Sequence, residues 1–274
     1  MSEKVNGNLM IIGGAEDKTG GMEILQATAK ASGGSNGLIV IITTATQHPE
    51  EAGEAYRALF QKLGVGQTEV VCMDTRQQAD AQAPVELLQK ATGIFFTGGD
   101  QLRITSILGG TKAYAALYEA YRGGALIAGT SAGASVLSST MITDGLSNDP
   151  ARKCTLKMAP GLGLLEQVIV DQHFAQRGRL GRLLCGVAEN PFTLGIGIDE
   201  DTAIQVFPDA HFEVLGSNAV TILDGITISD SNVSELTPNE ILAISHVTLH
   251  VLPKGYGYDM KNRQILKPKN NPAS

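Results

Sequence analysis

The chain has 274 residues, a hydrophobic fraction of 43%, a charged fraction of 18% and a formal net charge of -7. This length allows one large compact domain or two small ones, and the composition is that of an ordinary globular protein. The negative charge and the absence of tryptophan argue against nucleic acids and anionic membranes as main partners. No apolar run approaches the roughly 20 residues of a membrane helix, so we expect no membrane association.

The three cysteines, Cys72, Cys154 and Cys185, are odd in number and lack the spacing of metal ligands. They are typical of buried or incidental thiols in a reducing compartment. The first residues lack the long apolar region and the small-residue cleavage site of a signal peptide. We therefore expect a cytoplasmic protein.

The first half of the chain alternates short apolar runs with amphipathic stretches. Apolar runs without alternation are typical of strands that are buried on both faces of a parallel sheet. They occur at 9–12, 38–42, 69–73, 93–96 and 125–128. The stretches between them predict helices near 21–32, 49–63, 83–91, 101–108 and 111–122. This repetition predicts a three-layer, doubly wound, mostly parallel α/β sheet.

The second half alternates polar and apolar residues more regularly and has shorter connections. It predicts one helix at 179–189 and strands at 167–170, 194–198, 202–207, 212–215, 219–223 and 246–252. We interpret these strands as the edge of the same sheet with antiparallel strands added. No linker divides the chain, so we expect a single α/β domain over 1–274 with a frayed tail at 267–274.

The pentapeptide Gly129-Thr130-Ser131-Ala132-Gly133 fits the G-x-S-x-G nucleophile elbow. The apolar run before it and the small residues after it match the strand, turn and helix that an elbow requires. In that geometry Ser131 is the nucleophile, and the N–H of Ala132 at the helix start is an oxyanion donor. The alternative is a glycine-rich turn whose serine only caps a helix.

A nucleophilic serine needs a base, and the base needs an orienting acid. His173 follows the apolar run 168–170, so it lies past a strand end, where active sites of open α/β sheets are found. Asp199 and Glu200 follow another apolar run, and adjacent residues at a strand end point in opposite directions. Only one of these two acids can therefore face His173, and the sequence leaves open which one.

Three further features have both a functional and a structural interpretation. Gly99, in the loop after the fourth predicted strand, offers a second oxyanion N–H or simply belongs to an ordinary turn. Arg177, Arg179 and Arg182 suit a substrate carboxylate or form a solvated helix surface. The segment Gly13-Gly14-Ala15-Glu16-Asp17-Lys18 suggests a phosphate loop, but it lacks the spacing of a Walker loop or a dinucleotide fingerprint.

Together these segments resemble the aspartyl dipeptidase and cyanophycinase family of serine peptidases. The resemblance covers nearly the whole chain and runs through 11–18, 97–103, 128–134, 170–174, the three arginines and 197–202. It implies a glutamine-amidotransferase-like (flavodoxin-like) α/β fold and a Ser131–His173–Glu200 triad. It also implies a homodimer that uses no metal or organic cofactor.

The resemblance further implies exo-cleavage of cyanophycin, a poly-aspartate with arginine on each β-carboxyl group, into β-Asp-Arg dipeptides. The implied substrate pocket consists of Gln101, Asp171, Gln172, Arg177, Arg179 and Arg182. On charge grounds we add that the arginines can bind backbone carboxylates and that Asp171 can receive the arginine side chain of the substrate. Short β-aspartyl peptides are the alternative substrates. The stretch 144–160 is the least similar and can alter how a polymer enters.

Two other interpretations compete with this one. An esterase of the α/β-hydrolase fold orders its triad as serine, acid and histidine, so it would use His211, His246 or His250 in place of His173. A binding protein on the same scaffold would have lost catalysis, and the complete set of serine, histidine and acid argues against it.

Overall fold

The computed structural model describes residues 7–153 and 156–268. Within these ranges the α-helices are α1 (Glu23–Ala31), α2 (Pro49–Lys62), α3 (Arg76–Ala79), α4 (Gln82–Lys90), α5 (Gln101–Leu108), α6 (Lys112–Gly123), α7 (Ala132–Ser135) and α8 (Leu180–Glu189). The strands are β1 (Leu9–Ile12), β2 (Leu38–Ile42), β3 (Gln67–Val71), β4 (Gly93–Phe96), β5 (Leu126–Thr130), β6 (Thr140–Gly145), β7 (Leu156–Pro160), β8 (Val168–Gln172), β9 (Leu194–Ile198), β10 (Thr202–Val206), β11 (His211–Gly216), β12 (Ala219–Asp224), β13 (Asp230–Ser231), β14 (Ile244–Ser245), β15 (Thr248–Pro253), β16 (Gly257–Asp259) and β17 (Gln264–Leu266).

A nine-stranded sheet with the order β17-β16-β11-β10-β1-β5-β4-β2-β3 forms the centre of the fold. The five strands from β1 to β3 in this order pair in parallel. The other four add antiparallel pairs on the far side of β1. The predicted α/β architecture with added antiparallel strands is therefore confirmed.

The layering follows from the continuous apolar runs. In β1, Leu9 and Ile11 face a core shared with α4, α5 and α6, whereas Met10 and Ile12 face a second core shared with α1 and α2. Successive side chains of a strand point to opposite faces, so a strand between two cores needs apolar residues at every position. Helices thus cover both faces of the parallel part of the sheet.

The second half of the chain differs from the prediction in one respect. Strands β8, β9, β12 and β15 do not extend the central sheet but form a separate four-stranded sheet with the order β15-β12-β9-β8. In β8, Val168 and Val170 join the large core, while Ile169 packs with Leu183 and Val187 of α8. Helix α8 covers the outer face of the second sheet. Strands at the edge of the central sheet would not be covered by this helix.

Several smaller points concern the chain as a whole. None of the helices in 7–153 and 156–268 has the length and apolar character needed to cross a bilayer. Cys72 is half-buried and Cys185 is buried, both as free thiols, and Cys154 lies outside the described residues. Of the predicted frayed tail, 267–268 belong to no helix or strand, and 269–274 also lie outside the described residues.

Phe95 provides a test of the core between the central sheet and α2. Its side chain is fully buried, with ring centroids 5.3 Å from Phe60 and 4.7 Å from Tyr56. We expect Phe95→Ala to lower the free energy of unfolding by about 3–5 kcal/mol, because the lost contacts leave a cavity. Phe192 is 55% exposed, so Phe192→Ala is the matched control and should change it by less than about 1 kcal/mol. Urea denaturation measures both, and equal losses would contradict the described core.

Candidate active site

Ser131 lies at the turn between β5 and α7 in a conformation that is rare for a residue with a side chain. Its φ is 54° and its ψ is -114°, so the backbone is strained. A Cβ at Gly129 would lie 2.0 Å from the carbonyl oxygen of Gly133, and a Cβ at Gly133 would lie 2.4 Å from that of Phe96. The Ser131 side chain does not cap α7. The turn therefore has the geometry of a nucleophile elbow, and the capping interpretation is wrong.

The three residues of the predicted triad form one hydrogen-bond chain. Ser131 Oγ lies 3.0 Å from His173 Nε2, and His173 Nδ1 lies 2.6 Å from Glu200 Oε1. A proton on Nδ1 is donated to the carboxylate, which leaves Nε2 free to accept from the serine hydroxyl. This arrangement can carry out acyl transfer.

The histidines that an α/β-hydrolase would use have other neighbours. His211 Nδ1 lies 2.5 Å from Asp209 Oδ1 at the start of β11. His246 Nδ1 lies 2.6 Å from Ser229 Oγ, and the His250 ring packs against Tyr258. The geometry therefore favours His173 as the partner of Ser131.

The environment of His173 lowers its pKa. The residue is only 8% exposed, and burial, the largest effect, lowers the pKa of His173 below its ordinary value of 6.5. The hydrogen bond to Glu200 raises the pKa in part, and the charge of Arg177 lowers it further. The imidazole is therefore neutral at pH 7, which is the form that can accept a proton from serine.

The structure also distinguishes the two adjacent acids. Glu200 faces His173, whereas Asp199 is buried and accepts hydrogen bonds from the backbone N–H groups of Ala175 and Ala219, at 3.0 and 3.3 Å. The two carboxylates point in opposite directions, as expected for neighbours at a strand end. Asp199 thus connects the turn after His173 to the start of β12, and Glu200 is the acid that contacts the imidazole.

The residues after β1 connect the three parts of the site. Three successive carbonyl oxygens accept backbone hydrogen bonds: Ile12 from Ser131 at 3.1 Å, Gly13 from His173 at 2.8 Å and Gly14 from Asp201 at 2.9 Å. Gly14 has a φ of 97°, and a Cβ there would lie 2.3 Å from Cε1 of the His173 ring. The segment that suggested a phosphate loop in the sequence therefore has a different role, because it binds the backbone of His173 and Asp201 and packs against the His173 ring.

Two segments that contain the predicted oxyanion donors adjoin the serine. Ala132 is the first residue of α7, so its N–H has no acceptor within the helix. On the other side, a Cβ at Gly98 would lie 3.4 Å from the Cβ of Ser131. Gly99 follows with a φ of 142°, and a Cβ there would lie 2.1 Å from the carbonyl oxygen of Ala45. This loop needs glycine for close packing, and it passes beside Ser131 as an oxyanion donor must.

Two of the three arginines after His173 are buried and so do not form a solvated helix surface. Arg179 and Arg182 are each 7% exposed. Arg182 binds both oxygens of Asp171, with Nε 2.7 Å from Oδ2 and Nη2 in contact with Oδ1. Arg179 Nη1 lies 3.3 Å from Asp171 Oδ1 and also donates to the main-chain and side-chain oxygens of Gln172. Arg177 is exposed, and its positive charge acts on both His173 and Arg179.

These contacts overturn one expectation. Asp171 is 1% exposed, and both of its carboxylate oxygens are bound by arginines of the protein. It therefore has no free oxygen with which to receive an arginine side chain of a substrate. Its role in the structure is to hold Arg179 and Arg182 in place.

The arginine cluster, Arg177, Arg179, Arg182 and Asp171, carries more positive than negative charge. Two buried guanidinium groups share one carboxylate, and Nε of Arg179 has no hydrogen-bond partner among the described residues. Burial lowers the pKa of Arg179 to about 10, which still leaves it charged at pH 7. Buried charge and buried donors without partners are unfavourable, so the cluster is suited to an anionic ligand.

Gln101 and the unfamiliar stretch 144–160 meet beside this cluster. Strands β6 and β7 form a hairpin that begins at Thr140, before that stretch, and ends with it at Pro160. Gln101 Nε2 donates to the carbonyl oxygen of Ile142 at 2.9 Å, and Arg182 Nη1 donates to that of Gly145 at 3.2 Å. The hairpin therefore forms one wall of the region in which the predicted pocket residues lie.

Residues 9–214 match the model of peptidase family S51. The chain belongs to this family. It is 38% identical over 260 residues to a cyanophycinase of Synechococcus elongatus (94% of this chain and 81% of that one), and 38% identical over 265 residues to a cyanophycinase of Geminocystis herdmanii (96% and 97%). A cyanophycinase of Nostoc sp. is 39% identical over 259 residues (94% and 87%). The chain is thus a serine-type hydrolase.

Solved structures agree with this assignment. A peptidase from an acI-B1 Actinobacterium has a TM-score of 0.63 and 27% identity, over 82% of this chain and 93% of that one. A putative peptidase E from Listeria monocytogenes has a TM-score of 0.53 and 18% identity, over 77% and 98%. The second likeness supports the fold alone.

The contact between Gly14 and the histidine ring can be tested by adding one methyl group. We expect Gly14→Ala to lower kcat about 10²-fold, because the new Cβ displaces the His173 ring by a fraction of an ångström or more. Gly21→Ala is the matched control, since a Cβ at Gly21 meets nothing within 4 Å, and its activity should stay within about twofold of the unmodified enzyme. Steady-state kinetics with circular dichroism as a folding check would decide. Full activity of Gly14→Ala would show that the ring position does not depend on this contact.

Proposed function

We propose that the protein is a serine exopeptidase that degrades cyanophycin to β-Asp-Arg dipeptides through an acyl-enzyme on Ser131. The observation that carries this proposal is the hydrogen-bond chain from Ser131 through His173 to Glu200, beside the arginine cluster with its excess positive charge. Relatives that are 38–39% identical over 94–96% of the chain bear the name cyanophycinase, which supports the substrate. Short β-aspartyl peptides are the alternative substrates, because they offer the same charges.

The reaction begins when His173 Nε2 takes the proton of the Ser131 hydroxyl. Oγ then attacks the carbonyl carbon, and the N–H groups of Ala132 and Gly99 stabilise the oxyanion. Glu200 stabilises the imidazolium that forms. His173 gives its proton to the leaving amine, and the acyl-enzyme remains on Ser131. His173 then takes a proton from a water molecule, which attacks the acyl carbon. His173 returns this proton to Ser131 Oγ as the bond to the serine breaks, and the carboxylic acid product leaves.

The arginine cluster accounts for substrate orientation. Arg177, which is exposed, and the buried Arg179 supply the positive charge that binds a carboxylate of the substrate. Asp171 holds Arg179 and Arg182 rigidly, so less conformational freedom is lost when the substrate binds. Gln101 and Gln172 complete the pocket with neutral polar groups. The end of a poly-aspartate chain carries a free carboxylate, which favours removal of terminal dipeptides over internal cleavage.

The proposal includes three properties of the whole protein. We infer that the chain acts as a single α/β domain, that two chains form a homodimer and that the protein works in the cytoplasm. No metal or organic cofactor takes part in the reaction described above. The resemblance to the family supports the homodimer and the absence of a cofactor, and the free thiols of Cys72 and Cys185 suit a reducing compartment.

The decisive experiment is incubation of the purified protein with cyanophycin granules and identification of the soluble products by mass spectrometry. We expect β-Asp-Arg from the unmodified enzyme, and a roughly 10³–10⁶-fold lower turnover for Ser131→Ala, because the nucleophile is lost. Ser229→Ala is the matched control, since Ser229 lies beside a different histidine, His246, and it should be fully active.

Labelling with a fluorophosphonate separates the possible failures. If the unmodified enzyme is labelled but releases nothing from cyanophycin, the nucleophile stands and the polymer is the wrong substrate, so isoaspartyl dipeptides are tested next. Near-normal hydrolysis by Ser131→Ala would contradict the mechanism altogether.

The pH dependence provides an independent test of the base. Since the base must be neutral, kcat/KM falls as the pH drops through the pKa of His173, and we expect the midpoint below 6.5. Glu200 raises that pKa, so Glu200→Gln should move the acid limb to still lower pH. It should also lower kcat at the plateau by roughly 10²–10⁴-fold. Asp209→Asn, which alters the partner of His211, is the control and should change neither value. An acid limb that Glu200→Gln leaves in place would exclude His173 as the titrating base.

A further inference from the structure

Glu16 is a buried acid that the mechanism above does not use. It belongs to the segment after β1, and its side chain is only 1% exposed. Oε2 accepts a hydrogen bond from the Thr130 hydroxyl at 2.7 Å, and Oε1 accepts one from the Tyr56 hydroxyl at 2.5 Å. Lys18 Nζ lies 3.6 Å from Oε1. The carboxylate therefore has partners on both oxygens, and one of them is the residue immediately before Ser131.

Both oxygens of Glu16 act as hydrogen-bond acceptors in these contacts. Both oxygens accept from hydroxyl groups, and an ionised carboxyl group is a pure acceptor. Burial and the charge of Glu16 raise the pKa of Tyr56 well above its ordinary value, so the phenol keeps its proton and donates. Lys18 also lies 4.5 Å from the centre of the Tyr56 ring, which places a compensating charge on the outer side. The acid is thus held in one orientation from three directions.

The position of this carboxylate is difficult to explain by stability alone. A buried charge is unfavourable compared with apolar packing, even when it is paired. Here the Glu16 side chain lies beside the strained turn of the nucleophile elbow. The carbonyl oxygen of Ile12, at the end of β1, accepts a hydrogen bond from the N–H of Ser131 in the same turn. The segment therefore holds the turn twice, by its backbone at Ser131 and by the Glu16 side chain at Thr130.

We propose that Glu16 is a positioning residue for the nucleophile. Its carboxylate fixes the Thr130 side chain, and through it the peptide plane that sets the direction of the Ser131 side chain toward His173. Thr130 is 4% exposed, so solvent does not replace this bond when it is lost. The inference rests on the proposed role of Ser131 as the nucleophile.

The test compares Glu16→Gln with two changes at Thr130. An amide presents NH2 on one side, so it cannot accept from both hydroxyl groups at once. We expect Glu16→Gln and Thr130→Val each to lower kcat and the rate of fluorophosphonate labelling by about tenfold or more, with KM within about twofold. Thr130→Ser keeps the hydroxyl and should restore most of the rate. The double variant Glu16→Gln/Thr130→Val should be no slower than the worse single variant, because both remove the same bond.

The matched control is Thr28→Val, which removes another buried threonine hydroxyl, bonded to the carbonyl oxygen of Ile24 at 2.8 Å. It should lower the Tm without changing the labelling rate of the folded protein. The inference is overturned if folded Glu16→Gln is labelled at the normal rate, or if Thr130→Ser loses as much as Thr130→Val. If Glu16→Gln fails to fold, the two Thr130 variants carry the test alone.

Ser131→Ala in the same assay separates this inference from the proposed function. Activity in Ser131→Ala would remove the function and the inference together. An inactive Ser131→Ala with a fully active Glu16→Gln would remove only the inference.

Discussion

Three consecutive carbonyl oxygens at the end of β1 hold the site together. The N–H groups that they bind belong to Ser131, His173 and Asp201, and these residues come from distant parts of the chain. Strand β1 lies between β5 and β10 in the central sheet, whereas β8, which leads to His173, belongs to the second sheet. The residues after β1 are therefore the point at which both sheets are joined beside the serine, and the relative position of base and nucleophile depends on them.

The distribution of charge around this point is the reverse of that of the chain. The formal net charge is -7, but the acids near the site are occupied: Glu200 by His173, Asp171 by two arginines, and Asp199 by backbone N–H groups. Burial keeps the imidazole neutral while the guanidinium groups stay charged. In the proposed reaction the substrate meets a neutral base and an excess of positive charge, which suits a substrate carboxylate better than the overall composition suggests.

Sequence patterns predict the elements whose environment is local. Strands β1, β2, β4 and β9 and helix α5 have the predicted bounds, because a continuous apolar run or a capped amphipathic stretch reflects burial on both faces or on one. The roles of Ser131 and His173 are predicted from their positions directly after strands.

The pairing of β8 and β9 in a second sheet depends on contacts far along the chain, which no local pattern encodes. Strands β13 and β14 have two residues each, too few for a pattern. The expectation that Asp171 receives a substrate arginine is wrong, because the sequence does not show that Arg179 and Arg182 already bind its carboxylate. The contacts of Glu16 could not be predicted either, because its glycine-rich segment resembles a phosphate loop in composition and the partners Tyr56 and Thr130 are distant in the sequence.

Backbone strain and the hydrogen bonds of the site have one origin. Ser131, His173, Asp201 and Ala15 all have positive φ, between 46° and 54°, although none is glycine, and such residues cost about 1–3 kcal/mol each. Ser131, His173 and Asp201 each donate a backbone N–H to a carbonyl oxygen at the end of β1. The strained backbone at these residues therefore accompanies the hydrogen bonds that fix their positions. A conformation of this kind persists only where the surroundings determine it fully, and here two sheets and the buried Glu16 carboxylate do so. Because the groups are already in place, little reorganisation is needed when the oxyanion forms. The strained backbone at Ser131, His173 and Asp201 thus keeps the serine, the histidine and the residue after Glu200 in fixed relative positions.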